Sequence, residues 1–322
     1  MRFDITTPLI QTKNLKKYFK TGSGMLHAVD NVNLSIQKGQ TLGVVGESGC
    51  GKSTLGRTIL RLLPATSGEV LYNGKDLLKL KNREMKDMRS DLQIIFQDPY
   101  ASLNPRMSVS QIIEEPLKVN KVYAAKEERD KRILELMDTV GLARRLANSY
   151  PHELDGGRRQ RIGVARALAL NPQFIVCDEP VSALDVSIQA QILNLMMDLQ
   201  DSMGLTYMFI THDLSVVRHI STHIAVMYLG QVVEYAPSHK LFEEPRHPYT
   251  KALLSAIPIP DLAYRGKPRE LIKGEITSPI NPAPGCRFAA RCPYATEKCT
   301  AKDINLRGVG FEHQVACVLY EE

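Results

Sequence analysis

One octapeptide constrains this chain more than any other feature: Gly46-Glu47-Ser48-Gly49-Cys50-Gly51-Lys52-Ser53, set between the β-rich run Gln40 to Val45 and the helical run Thr54 to Leu63. A strand that turns through glycines into a helix lets backbone N–H groups curl around phosphate oxygens. Lys52 would reach the terminal phosphates, the Ser53 hydroxyl would face Mg²⁺, and the helix N-terminus adds a favourable dipole. The expected nucleotide contacts are Gly46, Ser48, Gly49, Gly51, Lys52, Ser53 and Thr54. The bland alternative is a glycine-rich turn that happens to contain Gly-Lys-Ser. A chance match in a chain this long is on the order of one per cent, and the flanking strand and helix count further against it.

The same alternation continues along the chain. Phe174-Ile175-Val176-Cys177 is another short apolar run among long stretches with helical spacing, which predicts an α/β fold around a buried, largely parallel sheet. Between about Tyr100 and Leu170 the chain is richer in Glu, Lys and Arg. The periodic segment Glu127 to Val140 predicts an inserted helical subdomain, closed by a helix from about Gly156 that ends at Asn171-Pro172. Beyond Tyr249, Pro258, Pro260, Pro268, Pro279, Pro282 and Pro284 suggest a linker into an appended module. The expected division is therefore 1–99 with 171–245 as the α/β core, 100–170 as the helical subdomain, and 246–322 as a C-terminal extension.

Composition excludes several classes. With 43% hydrophobic and 24% charged residues in 322, the chain can bury a full core. A net charge of +6, from 41 Lys+Arg against 35 Asp+Glu, is too slight to argue nucleic-acid binding. Met1-Arg2-Phe3-Asp4-Ile5-Thr6 lacks the apolar core of a signal peptide, and no stretch has the ~18 apolar residues of a membrane span, so a cytosolic, non-spanning chain is expected.

The run Phe174 to Cys177 ends in Asp178-Glu179. In an ATPase with a phosphate loop, the first acid serves Mg²⁺ and the next can polarise the attacking water. Alone, the pair could be a strand running into an acidic turn; in one chain with the loop, that reading loses weight.

In order, the loop at Gly46, Gln97 within Ile94-Ile95-Phe96-Gln97-Asp98, Leu154-Asp155-Gly156-Gly157-Arg158, Asp178-Glu179, Ser182-Ala183-Leu184-Asp185 and His212 resemble an ABC-type ATPase over about the first 240 residues. That resemblance implies a head-to-tail dimer, each ATP held between the phosphate loop of one subunit and the signature loop (Asp155, Gly156, Gly157) of the other. It implies that Tyr18, in Leu15-Lys16-Lys17-Tyr18, stacks on adenine, that Gln97 and Ser53 serve Mg²⁺, that Glu179 is the catalytic base and that His212 contacts the γ-phosphate. Gln97 would also couple to a membrane subunit. Singly, a Tyr, Gln or His would more often be a packing or surface residue.

The signature departs from the family's Leu-Ser-Gly-Gly-Gln: Asp155 replaces Ser, and Arg158 replaces Gln. An ionised Asp cannot donate to a phosphate and repels it, by ~4 kcal/mol per charge pair at 4 Å and an effective dielectric near 20, before Mg²⁺ compensates. Asp155 would cap the Gly156 helix as well as Ser does. The expected consequence is an asymmetric heterodimer with a homologous ATPase whose signature keeps its serine.

The tail narrows the resemblance. Glu244-Pro245-Arg246-His247-Pro248-Tyr249 through Leu254, Ser278-Pro279-Ile280-Asn281-Pro282, and Gly285-Cys286-Arg287-Phe288 with Arg291-Cys292-Pro293 look like the C-terminal extension of oligopeptide/dipeptide importer ATPases. Nickel importers share much of this, and a soluble ABC ATPase is the more distant alternative. The resemblance implies two membrane-spanning permease subunits, an extracytoplasmic peptide-binding protein acting indirectly, no nucleic acid, and a peripheral place on the cytoplasmic face of the membrane. Cys286, Cys292, Cys299 and Cys317 leave gaps of five, six and seventeen residues, unlike the two-residue gaps of zinc knuckles. Four thiolates suit iron–sulfur or zinc, and the resemblance favours a four-iron four-sulfur (4Fe-4S) cluster. Cys50 and Cys177 lie in other motifs. As part of a separate module, the four cysteines are expected to be replaceable without altering ATP binding.

Overall fold

The computed structural model describes residues 7–256, 274 and 277–321. Met1 to Thr6 and three of the prolines expected in the linker, Pro258, Pro260 and Pro268, lie outside the described residues. The chain forms two compact units, Met1–Leu78 with Ile210–Glu322, and Lys79–Phe209.

The first unit contains two sheets. One is antiparallel, in the order β2 (Gly24–Ile36), β1 (Ile10–Thr21), β4 (Ser67–Tyr72), β5 (Lys75–Asp76). In the other, β3 (Thr41–Val45) runs parallel to β9 (His223–Tyr228), followed by β10 (Gln231–Pro237), β12 (His313–Val315) and β11 (Arg307–Gly310), all antiparallel. Helix α1 (Lys52–Ile59) follows β3, α8 (Leu214–Ile220) precedes β9, and α9 (Ser238–Glu243) and α10 (Pro248–Ser255) follow β10. Helix α1 stops four residues before Leu63, and Arg61 already has φ 53°.

The tail is not a separate body. Its Phe288 and Tyr249 lie in one buried cluster with Val45, Val217, Ile224, Val226 and Tyr228, and Cys286 and Cys292 pack against it. Strand β12 of the tail pairs with β10. Burying large aromatics such as these contributes roughly 1.5–3 kcal/mol each, so the tail and the strand feeding the phosphate loop stabilise a common core.

In the second unit, β6 (Leu92–Ile95) and β7 (Phe174–Asp178) are parallel, with β8 (Thr206–Ile210) next to β7. Its helices are α2 (Asn82–Met88), α3 (Pro99–Ser102), α4 (Val109–Val119), α5 (Lys126–Thr139), α6 (Gly156–Leu168) and α7 (Val186–Met203). The apolar faces of α4, α5 and α6 (Ile112, Leu117, Ile133, Leu136, Ile162, Leu168) are buried, as their helical spacing requires. Helix α6 ends three residues before Asn171, which takes a left-handed φ of 53° ahead of Pro172. The α/β class is as expected, but the antiparallel sheet was not, and the compact units fall on other boundaries than 99, 171 and 245. A short tail helix, α11 (Lys298–Ala301), carries Cys299. No helix among the described residues is long and apolar enough to cross a membrane.

Candidate functional site

Strand β3 is fully buried and delivers the chain into the phosphate loop. Gly46 has φ 152°, and a Cβ there would lie 2.1 Å from the Met227 carbonyl; Gly51 has φ 105°, and its Cβ would lie 2.0 Å from the Ala28 carbonyl. No side chain larger than hydrogen fits either place. Gly51 is the N-cap of α1 and has no side chain to cap it, so the loop leads straight into the end of a helix that favours anions. Ser48 and Gly49 are exposed, while Ser53 and Thr54 are half-buried. Lys52 is 4% exposed, and its Nζ donates to the carbonyls of Gly46 (2.8 Å) and Glu47 (3.0 Å). The Thr211 amide donates to Val44 (3.2 Å), which brings exposed His212 to the strand end where the loop begins.

Tyr18 is engaged elsewhere than expected. Its ring stacks on His27 with centroids 3.8 Å apart. Its hydroxyl donates to Asp30, which also pairs with His27 (3.1 Å) and with Arg287. Burial and the Asp30 carboxylate push the phenol pKa up. Tyr18, His27, Asp30, Lys16, Arg287 and Asp303 line a cleft of about 480 Å³. Phe19 points to the other side of the strand by alternation, where the Lys17 ammonium sits 4.6 Å from its ring centroid.

The second unit gathers another set. The parallel pairing of Ile95 with Cys177 sets two strand ends side by side. Beyond them, Gln97 Nε2 donates to Glu179 Oε2 at 3.0 Å. Asp178 is 1% exposed, and Glu179 takes φ 48°, a left-handed conformation that costs an ordinary residue energy and is characteristic of functional turns. Asp155 caps α6 by accepting from the Arg158 amide at 2.8 Å. A Cβ on Gly157 would meet Ile188 Cγ2 at 2.5 Å, and one on Gly156 would meet Leu184 at 3.1 Å, so the signature glycines pack against the segment that follows Ser182.

Arg158 changes the reading of Asp155. Its Nη1 lies 3.3 Å from Asp155 Oδ2, so the two departures from the signature form one ion pair and the carboxylate does not stand uncompensated. They are three residues apart at a helix start, a spacing at which side chains meet; that signal was in the sequence. Arg145, Arg158, Arg161 and Asp155 line a hollow of about 310 Å³.

Cys286, Cys292, Cys299 and Cys317 line one small, mostly apolar hollow with Phe288, Ala289, Ile304 and Val318. The Cys286 amide donates to the Cys299 carbonyl at 2.7 Å and locks two of the cysteine segments together. All four are free thiols, and burial pushes Cys286 up to about 11. Among the described residues, no three His, Cys, Asp or Glu side chains converge so as to hold a metal ion. A metal site of any kind is therefore not established, although the sulfurs share one enclosure. Cys50 and Cys177 are buried elsewhere.

Comparison with known proteins gives these arrangements a family. Residues 29–182 match the ABC transporter family, and 233–299 match the oligopeptide/dipeptide transporter C-terminal region. The chain is 49% identical to the oligopeptide transport ATP-binding protein AppF of Bacillus subtilis, over 97% of both chains. It is 52% identical to the oligopeptide transport ATP-binding protein OppF of Salmonella typhimurium, over 95% of this chain and 92% of the other. A dimeric, post-hydrolysis structure of the ATP-binding cassette MJ0796 bound to ADP and Pi is similar with TM-score 0.66 and 35% identity, covering 71% of this chain and 98% of that one. With a phosphate loop, an acid-ended strand, a signature helix and this tail all in place, the chain belongs to the ABC transporter ATPases, in the family of oligopeptide transport ATP-binding proteins.

Proposed function

We propose that this chain hydrolyses ATP to power uptake of di- and oligopeptides, at the cytoplasmic face of a membrane and as one half of an asymmetric ATPase heterodimer. Its other partners are two permease subunits and, indirectly, an extracytoplasmic peptide-binding protein. The observation that carries this reading is identity of about half over nearly the whole length, tail included, with proteins named for oligopeptide transport. In this reading the amides of Gly46 to Ser53 and the Lys52 ammonium bind the phosphates. Ser53, Asp178 and Gln97 offer the oxygen donors that Mg²⁺ prefers. Glu179, oriented by Gln97, takes the proton of the attacking water, and His212 steadies the γ-phosphate. Since His27 covers a face of the Tyr18 ring, adenine stacking falls to Phe19, one residue along. Asp155 faces the partner's ATP and, even with Arg158 beside it, lacks the donor that serine has.

The tail thiols suit a 4Fe-4S cluster. Four sulfur donors in an apolar enclosure fit soft metals. Cys286, Cys292, Cys299 and Cys317 would hold it, and it would supply cross-linking of the tail or electron transfer.

The test is purification from membranes without oxygen. Copurifying permeases, peptide uptake lost in Glu179→Gln, and about four irons per chain are expected. Metal-ion uptake instead of peptide uptake would favour a nickel importer, one equivalent of zinc would replace the cluster, and a chain that never fractionates with membranes would sink the transport reading.

A further inference from the structure

Two arginines of the cysteine segment reach back to the nucleotide-binding elements. Arg291 precedes Cys292, and its Nη1 and Nη2 lie 3.0 and 3.2 Å from the two carboxylate oxygens of Glu47, the second residue of the phosphate loop. The Arg291 side chain is 8% exposed and that of Glu47 24%. Arg291 Nη1 also donates to the Tyr228 hydroxyl at 3.2 Å. From α10, the buried Tyr249 hydroxyl accepts the Glu47 amide at 2.9 Å. Arg287, next to Cys286, pairs with Asp30 and donates to the Leu229 carbonyl. Between these arginines, Phe288 is 1% exposed and packs on both Tyr228 and Tyr249 at 5.3 Å between centroids. The five residues between Cys286 and Cys292 thus tie the tail to β2 and to the phosphate loop.

Glu47 is an odd residue to place in a loop that must accept a polyanion. Unpaired, its carboxylate would repel a triphosphate; paired in two-point fashion with a nearly buried guanidinium, it is neutralised and fixed in direction. Its carbonyl holds the Lys52 ammonium, so the orientation of residue 47 also sets where Lys52 starts from. We propose that Arg291 and Tyr249 are positioning residues for nucleotide binding: the cysteine-bearing tail holds Glu47 in the conformation that lets the loop take phosphate, so the tail sets the loop's affinity. The inference rests on the loop being the nucleotide site, and it replaces the expectation that the cysteine module can be altered without effect on ATP.

The full chain titrated with a fluorescent ATP analogue tests this, alongside thermal melting and limited proteolysis of the tail. Arg291→Gln should weaken binding about tenfold or more, as expected when a hydrogen-bonded charge loses its partner. Adding Glu47→Gln to it should recover most of that loss, because the stranded carboxylate is gone. Tyr249→Phe, which keeps every charge and the ring, should weaken binding about two- to tenfold, the worth of one hydrogen bond. Arg291→Gln binding within twofold of the parent, or no recovery in the double variant, overturns the proposal. Should Arg291→Gln leave the tail open to protease, Tyr249→Phe decides, and unchanged affinity there overturns it. Failure of the parent chain itself to bind the analogue would instead refute the nucleotide-site reading.

Discussion

Lys52→Ala is the most direct probe of the phosphate loop, and the structure sets its size. The Lys52 ammonium is 4% exposed and donates to two loop carbonyls, at 2.8 and 3.0 Å. When phosphate arrives the lysine exchanges those partners for oxyanions, so the gain is a difference between charge-assisted bonds rather than the full strength of a new one. A hydrogen bond to a charged group contributes about 1.5–3 kcal/mol net, which corresponds to roughly a 10- to 150-fold loss of affinity. The substitution also strips the Gly46 and Glu47 carbonyls of a donor, and because Gly46 is buried the fold should lose about 1–3 kcal/mol. Equilibrium titration with an ATP analogue in Mg²⁺ reads the first quantity and thermal melting the second. Affinity within twofold of the parent would refute the reasoning. A large loss of stability with the same loss of affinity would show that Lys52 acts by holding the loop together rather than by meeting phosphate.

Three further outcomes follow from the site. Glu179→Gln should lower ATP turnover by the ~10²–10⁴ of a positioned general base while ATP binding is retained, read by phosphate release and by analogue titration. Asp155→Asn should change turnover of the assembled transporter by less than about fivefold, because Asn caps a helix as well as Asp and Arg158 already offsets the carboxylate; an effect as large as that of Glu179→Gln would give Asp155 a positive role. Burial alone would raise the Asp30 pKa, but hydrogen bonds from Tyr18 and His27 and the Arg287 charge outweigh it and leave it below the ordinary 3.8. Its stabilisation is then complete above pH 3.8 and is lost as pH falls through the lower folded value, so the melting temperatures of the parent and of Asp30→Asn should differ at pH 7 and converge in acid.

What the sequence determined by itself is the chemistry carried by short contiguous motifs. The loop from Gly46 to Ser53, the acids Asp178-Glu179 and the Asp155 cap act through backbone conformation and neighbours a few residues away, and such local physics is readable in order and spacing. The ion pair of Asp155 with Arg158 was equally legible, since a helix start brings residues three apart together. Tertiary structure decided whatever depended on partners far along the chain. Tyr18 or Phe19 as the aromatic available to a base depends on His27, brought opposite Tyr18 by strand register with a shift between Lys17 and Tyr18, and a shift of one residue exchanges the faces of a strand. The tail's place was likewise illegible. Its prolines suggested a detached module, yet Phe288 and Tyr249 enter the cluster that contains Val45, and Arg291 meets Glu47 across 244 positions. A nearly buried charge is stable only where an opposite one awaits it, and only the folded chain shows that the one awaiting Arg291 is in the phosphate loop.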